Sequence, residues 1–312
     1  MPALSDTQWP ITSVVRPFIA KLGKCCKNVT LSLRLISNNI SINVKEGTRK
    51  KPPALRPCWS IPRRETWYTS SRTGWFQNGT WQSDTCSLPD LTRQRVLNCM
   101  RNTTLVLQGD SNQRFWWDAI HRFLPCSYVH QEGAWHAPRL CQNYNLSSTL
   151  IFCSHAMPFS PGTHTDLVTV SLPQALDKLL HHTPPGGKAV FVLHYYRHFT
   201  TYSLHVYRQR VREARRTLEQ FVQLHPNVKV IIRAPHASYQ SRNVGKTVIG
   251  DEVVAAYTEV WKEEFVGLED KVWFLDLWDV TVAAESVPVH PAPSLTKELL
   301  KVLFGYFCEG NM

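Results

Sequence analysis

A serine at the junction between a strand and a helix is the first candidate for chemistry. The run Leu105-Val-Leu-Gln-Gly-Asp-Ser111 is apolar up to Gly109-Asp110-Ser111, and an amphipathic pattern begins directly after it. This order predicts a buried strand, a tight turn that glycine permits, and a helix whose first N–H groups could hold an oxyanion. Ligands of open α/β sheets bind at the carboxyl ends of strands. Two interpretations follow. Ser111 is a nucleophile, or the motif is only a helix cap, formed by Asp110 or by Ser111.

The partners that a serine nucleophile needs occur near the end of the chain. Residues 271–277 predict a last buried strand that leads to Asp276 and Asp279, and a loop then carries His290 to the last helix. Serine becomes nucleophilic when an adjacent base accepts its proton and a carboxylate orients that base. The chain order fits a triad on a parallel sheet, with Ser111 as nucleophile, His290 as base and Asp279 or Asp276 as acid.

Other polar residues near predicted strand ends have two interpretations each. His194 and His198 could donate a hydrogen bond to an oxyanion or bind substrate, or they are strand-end histidines with no such task. His236 could line the same crevice or could equally be an ordinary loop histidine, and it ranks below His290 as a candidate. Arg114 could bind an anionic substrate or form a surface ion pair, and Asp110 is expected to shape the turn or cap the helix.

Periodicity along the chain predicts alternating strands and helices. The expected strands are 104–108, 149–154, 188–193, 228–233 and 272–277, and the expected helices are 112–123, 172–182, 203–224, 250–265 and 294–307. Residues 74–99 are expected to be irregular, and residues 126–146 are expected to be rich in loops. Such alternation favours an α/β fold with a parallel sheet that helices cover on both faces.

Four segments in order resemble a known family. They are Gly74-Trp-Phe-Gln-Asn-Gly-Thr-Trp81, Leu107-Gln-Gly-Asp-Ser111, Lys229-Val-Ile-Ile-Arg233 and Asp276-Leu-Trp-Asp-Val-Thr281. They resemble the PC-esterase-like C-terminal domain of the neurexophilin and PC-esterase domain (NXPE) family, over most of the chain. Gly109-Asp110-Ser111 with a late aspartate and histidine is also similar to the SGNH/GDSL esterase and acyltransferase superfamily.

The resemblance implies a fold and a domain organisation. The fold is an SGNH-hydrolase-like three-layer α/β/α sandwich with a mainly parallel sheet, spanning residues 67–312. Residues 1–66 would form a basic N-terminal extension or linker, interpreted as a remnant of a truncated neurexophilin-like region.

The resemblance also assigns site residues, with two departures. Ser111 matches the family serine and His290 the family histidine. The superfamily places its aspartate three residues before the histidine, where this chain has Val287. The glycine and asparagine that complete the superfamily's oxyanion hole are not evident, so Gly109, Asp110, His194, His198 and Arg114 are the candidates around the nucleophile.

The leading functional hypothesis is a serine enzyme that transfers or removes an acyl group, most simply acetyl, on a glycan hydroxyl. The acceptor would be a glycan or glycoprotein, acetyl-CoA is a candidate donor, and neither a bound cofactor nor a metal is expected. Transferase and esterase share one acyl-enzyme, so the sequence does not separate them. The alternative is a non-catalytic secreted glycoprotein that uses an esterase-like fold for binding or signalling.

The positive charge of the chain is confined to one region. The formal net charge is +11, but residues 1–75 hold 13 Lys and Arg against 3 Asp and Glu, and the rest is nearly neutral. Short basic runs such as Arg49-Lys-Lys51 can contact phosphates, but no zinc-finger spacing or basic recognition helix accompanies them. The sequence therefore argues against a nucleic-acid partner.

Cysteines and glycosylation sequons indicate the secretory pathway, either the Golgi lumen or the extracellular space. Nine cysteines without a paired Cys-x-x-Cys motif suggest several disulfides, one of which would tie Cys308 to the body of the domain. Sequons occur at Asn28, Asn39, Asn78, Asn102 and Asn145. The chain shows no signal peptide and no apolar run long enough for a membrane span, which we interpret as a truncated N-terminus.

Overall fold

The computed structural model describes most of the chain from residue 54 onward. The described residues are 29–36, 39–46, 54–68, 72–129, 137–155, 169–237, 251–286 and 288–310. The two earliest stretches form a separate antiparallel hairpin of β1 (Val29–Ile36) and β2 (Asn39–Glu46).

A seven-stranded mixed sheet forms the centre of the domain. Its strands lie in the order β11-β10-β9-β5-β8-β7-β6, and their bounds are β5 (Thr103–Gly109), β6 (Ser127–Val129), β7 (Arg139–Asn143), β8 (Ser148–Ser154), β9 (Lys188–His194), β10 (Lys229–Arg233) and β11 (Val272–Leu275). The five strands from β11 to β8 are parallel, and β7 and β6 continue the sheet antiparallel. A small hairpin of β3 (Gly74–Gln77) and β4 (Thr80–Ser83) precedes the sheet.

Helices cover both faces of the sheet. They are α1 (Arg93–Met100), α2 (Ser111–His121), α3 (Leu172–His182), α4 (Leu204–Leu224), α5 (Asp251–Glu264), α6 (Trp278–Ala283) and α7 (Pro293–Phe307). Buried side chains of α3, α4 and α5 pack with Val106 on one face, while those of α1, α2 and α7 pack with Leu105 and Leu107 on the other. This split follows from the alternation of side chains along a strand. Among the described residues, no helix has the length and apolar character that a membrane crossing needs.

The observed layers confirm the predicted α/β sandwich with a mainly parallel sheet. Two local predictions were wrong. Residues 74–99, expected to be irregular, contain β3, β4 and most of α1. Residues 126–146, expected to be rich in loops, contain β6 and β7, which pair antiparallel at the sheet edge. Both strands are short, and a disulfide between Cys126, directly before β6, and Cys141 of β7 contributes to their stability. The last strand ends at Leu275, so Asp276 lies in the turn before α6.

Three disulfides join parts of the domain that are distant in the sequence. They pair Cys58 with Cys86, Cys99 with Cys308, and Cys126 with Cys141. The second ties the end of α7 to α1 and bears out the expectation for Cys308. Among the described cysteines Cys153 is unpaired and buried, and burial raises the pKa of its thiol to about 12. Cys25 and Cys26 lie outside the described residues.

Candidate active site

The central strand β5 delivers the candidate nucleophile to a switch point of the sheet. The chain continues from β5 to β8 on one side and later to β9 on the other, so a crevice opens at the carboxyl end of β5. Gly109 ends the strand beside His194 of β9. A Cβ at Gly109 would lie 2.5 Å from the His194 carbonyl oxygen and 2.6 Å from Cγ of Gln113. Only glycine therefore allows β5, β9 and α2 to approach this closely.

Ser111 and His290 meet at this edge although 179 residues separate them in the sequence. Oγ of Ser111 lies 2.7 Å from Nε2 of His290, within hydrogen-bond range. The ring of Phe115, one turn further along α2, stacks on the His290 ring with centroids 4.4 Å apart. Both side chains of the pair are only partly buried, so a reactant can approach them from solvent. This distance is the one that a serine and its general base require.

Asp110 caps α2 and holds the turn that presents Ser111. One carboxylate oxygen accepts the N–H of Asn112 at 2.8 Å, and the other accepts the N–H of Arg197 at 2.8 Å. The residue is fully buried. Burial alone would raise the pKa of Asp110, but His194, His198 and the two N–H donors hold it below its usual range. Asp110 is therefore a buried, ionised carboxylate directly behind the nucleophile.

His290 is kept neutral by its surroundings. Burial lowers the pKa of His290, the carboxylate of Asp110 acts in the opposite direction, and the guanidinium groups of Arg114 and Arg197 lower it further. A base must be unprotonated to accept the serine proton, so a lowered pKa extends its working range to more acidic pH. The N–H of Ser111, at the first position of α2, has no acceptor within the helix and can face an oxyanion.

Asp279 and Asp276, the two predicted orienting acids, hold other groups in the structure. The Asp279 carboxylate accepts the N–H of Thr73 at 2.7 Å and its hydroxyl at 3.3 Å, which fixes the entry to the β3–β4 hairpin. The Asp276 carboxylate accepts the N–H of Trp278 at 3.0 Å and so caps α6 from the preceding turn. The carboxylate whose charge acts on His290 is that of Asp110. An orienting role for Asp279 or Asp276 stays a prediction.

The other predicted site residues differ in their access to the crevice. His194 is fully buried, with Nδ1 donating to the Arg233 carbonyl oxygen at 2.9 Å, so it lies behind the site and not in it. His198 is partly exposed, and its Nδ1 lies 2.9 Å from Nε2 of the buried His155. Arg114 is half-buried, and its guanidinium lies 5.3 Å from the centre of the Phe115 ring.

Sequence reasoning missed three residues around the pair. Phe115 covers the His290 ring, Arg197 binds Asp110 through its backbone, and Arg233 lies fully buried behind both. Phe115 stands four residues after Ser111, on the same helix face, and this spacing could have identified it. Arg233 could not be found this way, because an arginine at the end of an apolar strand is ordinarily exposed.

A buried polar cluster lies behind the pair and consists of Asp110, His194, Arg233 and His236. The Arg233 guanidinium donates to the Asn112 carbonyl oxygen at 3.1 Å and lies 3.8 Å from the centre of the Trp116 ring. Burial lowers the pKa of Arg233 to about 9, against the opposing effect of Asp110. Burial, together with Arg233, lowers the pKa of His194 to about 4. At neutral pH the cluster therefore holds one carboxylate, one guanidinium and two neutral histidines.

This cluster predicts that the protein loses stability on mild acidification. An unfolded histidine takes up a proton near pH 6.5, whereas folded His194 resists protonation down to about pH 4. The free energy of unfolding should fall through that window by about 1.4 kcal/mol per pH unit from this residue, or roughly 3 kcal/mol in all. Urea unfolding at pH 7, 6 and 5 measures the slope. In the variant H194N the Asn Nδ2 can replace the Nδ1 donor, and the free energy of unfolding should fall less steeply with pH than in the wild type. An equal slope in the two proteins would contradict a lowered pKa for His194.

A cleft of about 280 Å³ lies beside the pair, between α2 and α7. Phe115 and Pro291, the latter directly after His290, are part of its wall. Its other lining residues combine apolar and charged groups and are Asp118, Ala119, Arg122, Phe123, Pro293, Thr296, Lys297 and Leu300. A reactant bound at Ser111 can extend into this cleft.

Within the part of the chain that the structure describes, one group of potential metal ligands lies outside the crevice. His121, Cys126 and Cys141 have their ligand atoms within 4.8 Å of one another. The two cysteines form a disulfide, and a disulfide has no thiolate to offer a metal. These residues therefore contribute to the fold, the cysteines through their disulfide and His121 by stacking on Trp117.

A comparison with protein families extends over most of this domain. The family described as NXPE family member 4-like, C-terminal domain, matches residues 81–308. The matched range begins at β4, ends at Cys308, and includes every strand of the main sheet together with Ser111 and His290.

Proposed function

The chain belongs to the NXPE family through its C-terminal domain, and we propose that this domain is a serine acyltransferase or esterase acting on O-acyl groups of glycans. The observation that carries the proposal is the 2.7 Å approach of Ser111 Oγ to His290 Nε2 at the carboxyl end of β5. A buried ionised Asp110 behind the turn and a neutral His290 in front of it suit this chemistry. The cleft between α2 and α7 offers room for the glycan or the acyl donor.

The proposed reaction proceeds through an acyl-enzyme. Ser111 Oγ forms a bond to the acyl carbonyl carbon while its proton passes to Nε2 of His290. The leaving group then departs from the tetrahedral carbon and takes the proton from Nε2. In the second half a water or a glycan hydroxyl attacks the acyl carbon and gives its proton to Nε2 of His290. His290 then returns a proton to Ser111 Oγ as the bond between Oγ and the acyl carbon breaks. Acetyl is the simplest acyl group, and a thioester such as acetyl-CoA is a suitable donor for the transferase reaction.

The first test is whether Ser111 reacts as an activated serine. The purified protein, treated with a fluorophosphonate, should acquire one adduct on the peptide that contains Ser111, as read by mass spectrometry. The exposed Ser294, a few residues after His290, is a matched control, and the variant S294A should label like the wild type. A folded wild-type protein that remains unlabelled would favour the alternative, a binding or signalling module with an esterase-like fold.

The second test separates the two reactions. An esterase releases acetate from O-acetylated glycans in water, whereas a transferase releases the thiol of acetyl-CoA when a glycan acceptor is present. Both activities should disappear together in S111A, because both need the same acyl-enzyme.

The three disulfides and the family membership are consistent with a protein of the secretory pathway. We propose the Golgi lumen or the extracellular space as its compartment. A chain expressed there should carry N-linked glycans, and the structure indicates at which sequons.

Asn78 and Asn145 are the sequon residues that we expect to be glycosylated. Asn78 is exposed in the turn between β3 and β4, and Asn145 is exposed in the turn between β7 and β8. Asn102 differs, because its side-chain amide donates to the Gly186 carbonyl oxygen at 3.3 Å. In protein secreted from cells, enzymatic deglycosylation should reveal that N78Q and N145Q each lose one glycan. N102Q should lose none; a glycan on Asn102 and none on the two turns would contradict the expectation.

A further inference from the structure

The loop that carries His290 has little regular structure to hold it. It joins α6, which ends at Ala283, to α7, which begins at Pro293, and position 287 offers valine where the superfamily has its aspartate. A general base must keep its ring at a fixed angle to the serine, since small displacements are costly to rate. Phe115 restrains one face of the ring by stacking. After His290 the Thr296 hydroxyl donates to the Pro291 carbonyl oxygen at 3.2 Å, and a contact before His290 would hold the loop from its other side.

His236 supplies such a contact from the segment that follows β10. Its Nε2 lies 3.4 Å from the carbonyl oxygen of Val289, the residue directly before His290. The His236 side chain is fully buried, between the rings of Tyr196 at 5.3 Å and His194 at 6.0 Å. A carbonyl oxygen only accepts hydrogen bonds, so Nε2 must carry the ring proton and donate it.

The backbone around His236 is anchored on both sides. The Ala234 N–H donates to the Leu275 carbonyl oxygen at 3.0 Å, which continues the pairing of β10 with β11. The Ala237 N–H donates to Oγ1 of Thr281 in α6 at 2.9 Å. The backbone on either side of His236 is therefore hydrogen-bonded to β11 and α6, and the His236 ring contacts the loop that carries His290.

His236 is a neutral imidazole that can donate a hydrogen bond from Nε2 over a wide pH range. Nδ1 is buried and has no hydrogen-bond partner among the described residues, as expected for the neutral ring with its proton on Nε2. Burial, then Arg233 and His194, lower the pKa of His236 well below its usual value. The ring thus keeps a single proton, on Nε2, throughout the pH range in which His290 would act as a base.

We propose that His236 is a positioning residue, which fixes the His290 loop through the Val289 carbonyl and so takes over part of the orienting task that an aspartate at position 287 would perform. The proposal rests on the proposed serine acyl-transfer function. It assigns His236 no contact with substrate, since the side chain is fully buried.

The test compares two amide replacements that differ only in where the donor stands. In H236Q the Nε2 amide can occupy the position of the imidazole Nε2, whereas in H236N the amide reaches only the position of Nδ1. For hydrolysis of a small activated ester, H236N should lower kcat roughly tenfold to a hundredfold at unchanged KM, and H236Q should restore most of it. The control Y257F removes another buried hydrogen bond to a backbone carbonyl, from Tyr257 to Phe199 at 2.8 Å, and should leave kcat unchanged.

A second readout needs no activity. The NMR resonances of the His290 imidazole should shift or broaden in H236N and remain near their wild-type positions in H236Q. Equal kcat and equal His290 spectra in the two folded variants would overturn the positioning role. A different result would separate the two proposals. If the His290 resonances shift in H236N, but the wild-type protein neither hydrolyses esters nor labels at Ser111, the contact would be supported and the proposed function contradicted.

Discussion

Replacing Ser111 by alanine is expected to lower the rate of acyl release by at least about 10³-fold, with the protein still folded. The hydroxyl is the atom that forms the acyl-enzyme, so its loss leaves only the background reaction with water. Ser111 is partly exposed at the first position of α2, and the side-chain hydrogen bond that alanine would remove is the one to His290. Alanine is a good helix residue, so the free energy of unfolding should change by less than about 1 kcal/mol.

Replacing His290 by alanine should cost nearly as much, and the double variant should be no slower than either single variant. A nucleophile and its base act as one unit, and removing either already abolishes the proton transfer that activates the other. Initial rates of ester hydrolysis for the wild type, S111A, H290A and the double variant measure this. Losses that multiply in the double variant would mean that the two residues act independently, and the proposed mechanism would then be wrong.

The pair itself could be found from the sequence because local rules and chemistry agree there. A strand that ends in Gly109-Asp110-Ser111 before an amphipathic helix specifies a turn, and the turn specifies where the hydroxyl lies. Nothing comparable identifies the acid. Two aspartates lie at the end of the last predicted strand, and the sequence favours Asp279 over Asp276 as the acid only by their order along the chain. The structure shows that Asp276 caps α6 and that Asp279 binds Thr73, a residue about 200 positions earlier.

The fold was predictable for the same reason, and its errors fall where periodicity is weak. The long helix α4 has apolar residues at helical spacing and was placed within one residue of its start. The edge strands β6 and β7 have three and five residues and no apolar alternation, so they resemble loop in the sequence. β7 pairs with β8 and β6 pairs with β7, and only the folded chain brings these partners together.

The groups behind the pair were the least predictable, because burial decides their role. Arg233 ends an apolar strand and His236 follows it in a loop, so each resembles an exposed residue in the sequence. In the structure both are fully buried, one holding the helix that carries Ser111 and the other the loop that carries His290. A buried ionic group of this kind must be compensated nearby, and Asp110 is the carboxylate that acts on Arg233.

Replacing Asp110 by asparagine is expected to lower the free energy of unfolding more than any other single change considered. Asn at position 110 retains an oxygen for one of the two N–H donors but has no charge, so the Arg233 guanidinium would stay buried without a counter-charge. Leaving a buried charge without its compensating partner typically costs about 3–5 kcal/mol, and Asp110 acts on Arg233 through its charge without a direct ion pair, so we expect a loss toward the lower end of this range, still above the value of an exposed pair. The same change should also slow acyl release, since Asp110 holds the turn that presents Ser111 through Asn112 and Arg197.

Urea unfolding of D110N at neutral pH tests this, beside D118N as a matched control. Asp118 lies on the same helix and pairs with Arg139 near the surface, so its loss should cost no more than about 1 kcal/mol. The double variant D110N/R233M removes both charges and should recover part of the lost stability, because an apolar side chain over Trp116 leaves no unpaired cation. A D110N loss as small as that of D118N, or a double variant whose loss equals the sum of the two single ones, would show that Asp110 and Arg233 do not depend on each other. Asp110 would then stabilise only the turn before Ser111, through its hydrogen bonds to Asn112 and Arg197. The position of Ser111 would depend on the close packing at Gly109 and on the backbone, and not on the buried charges.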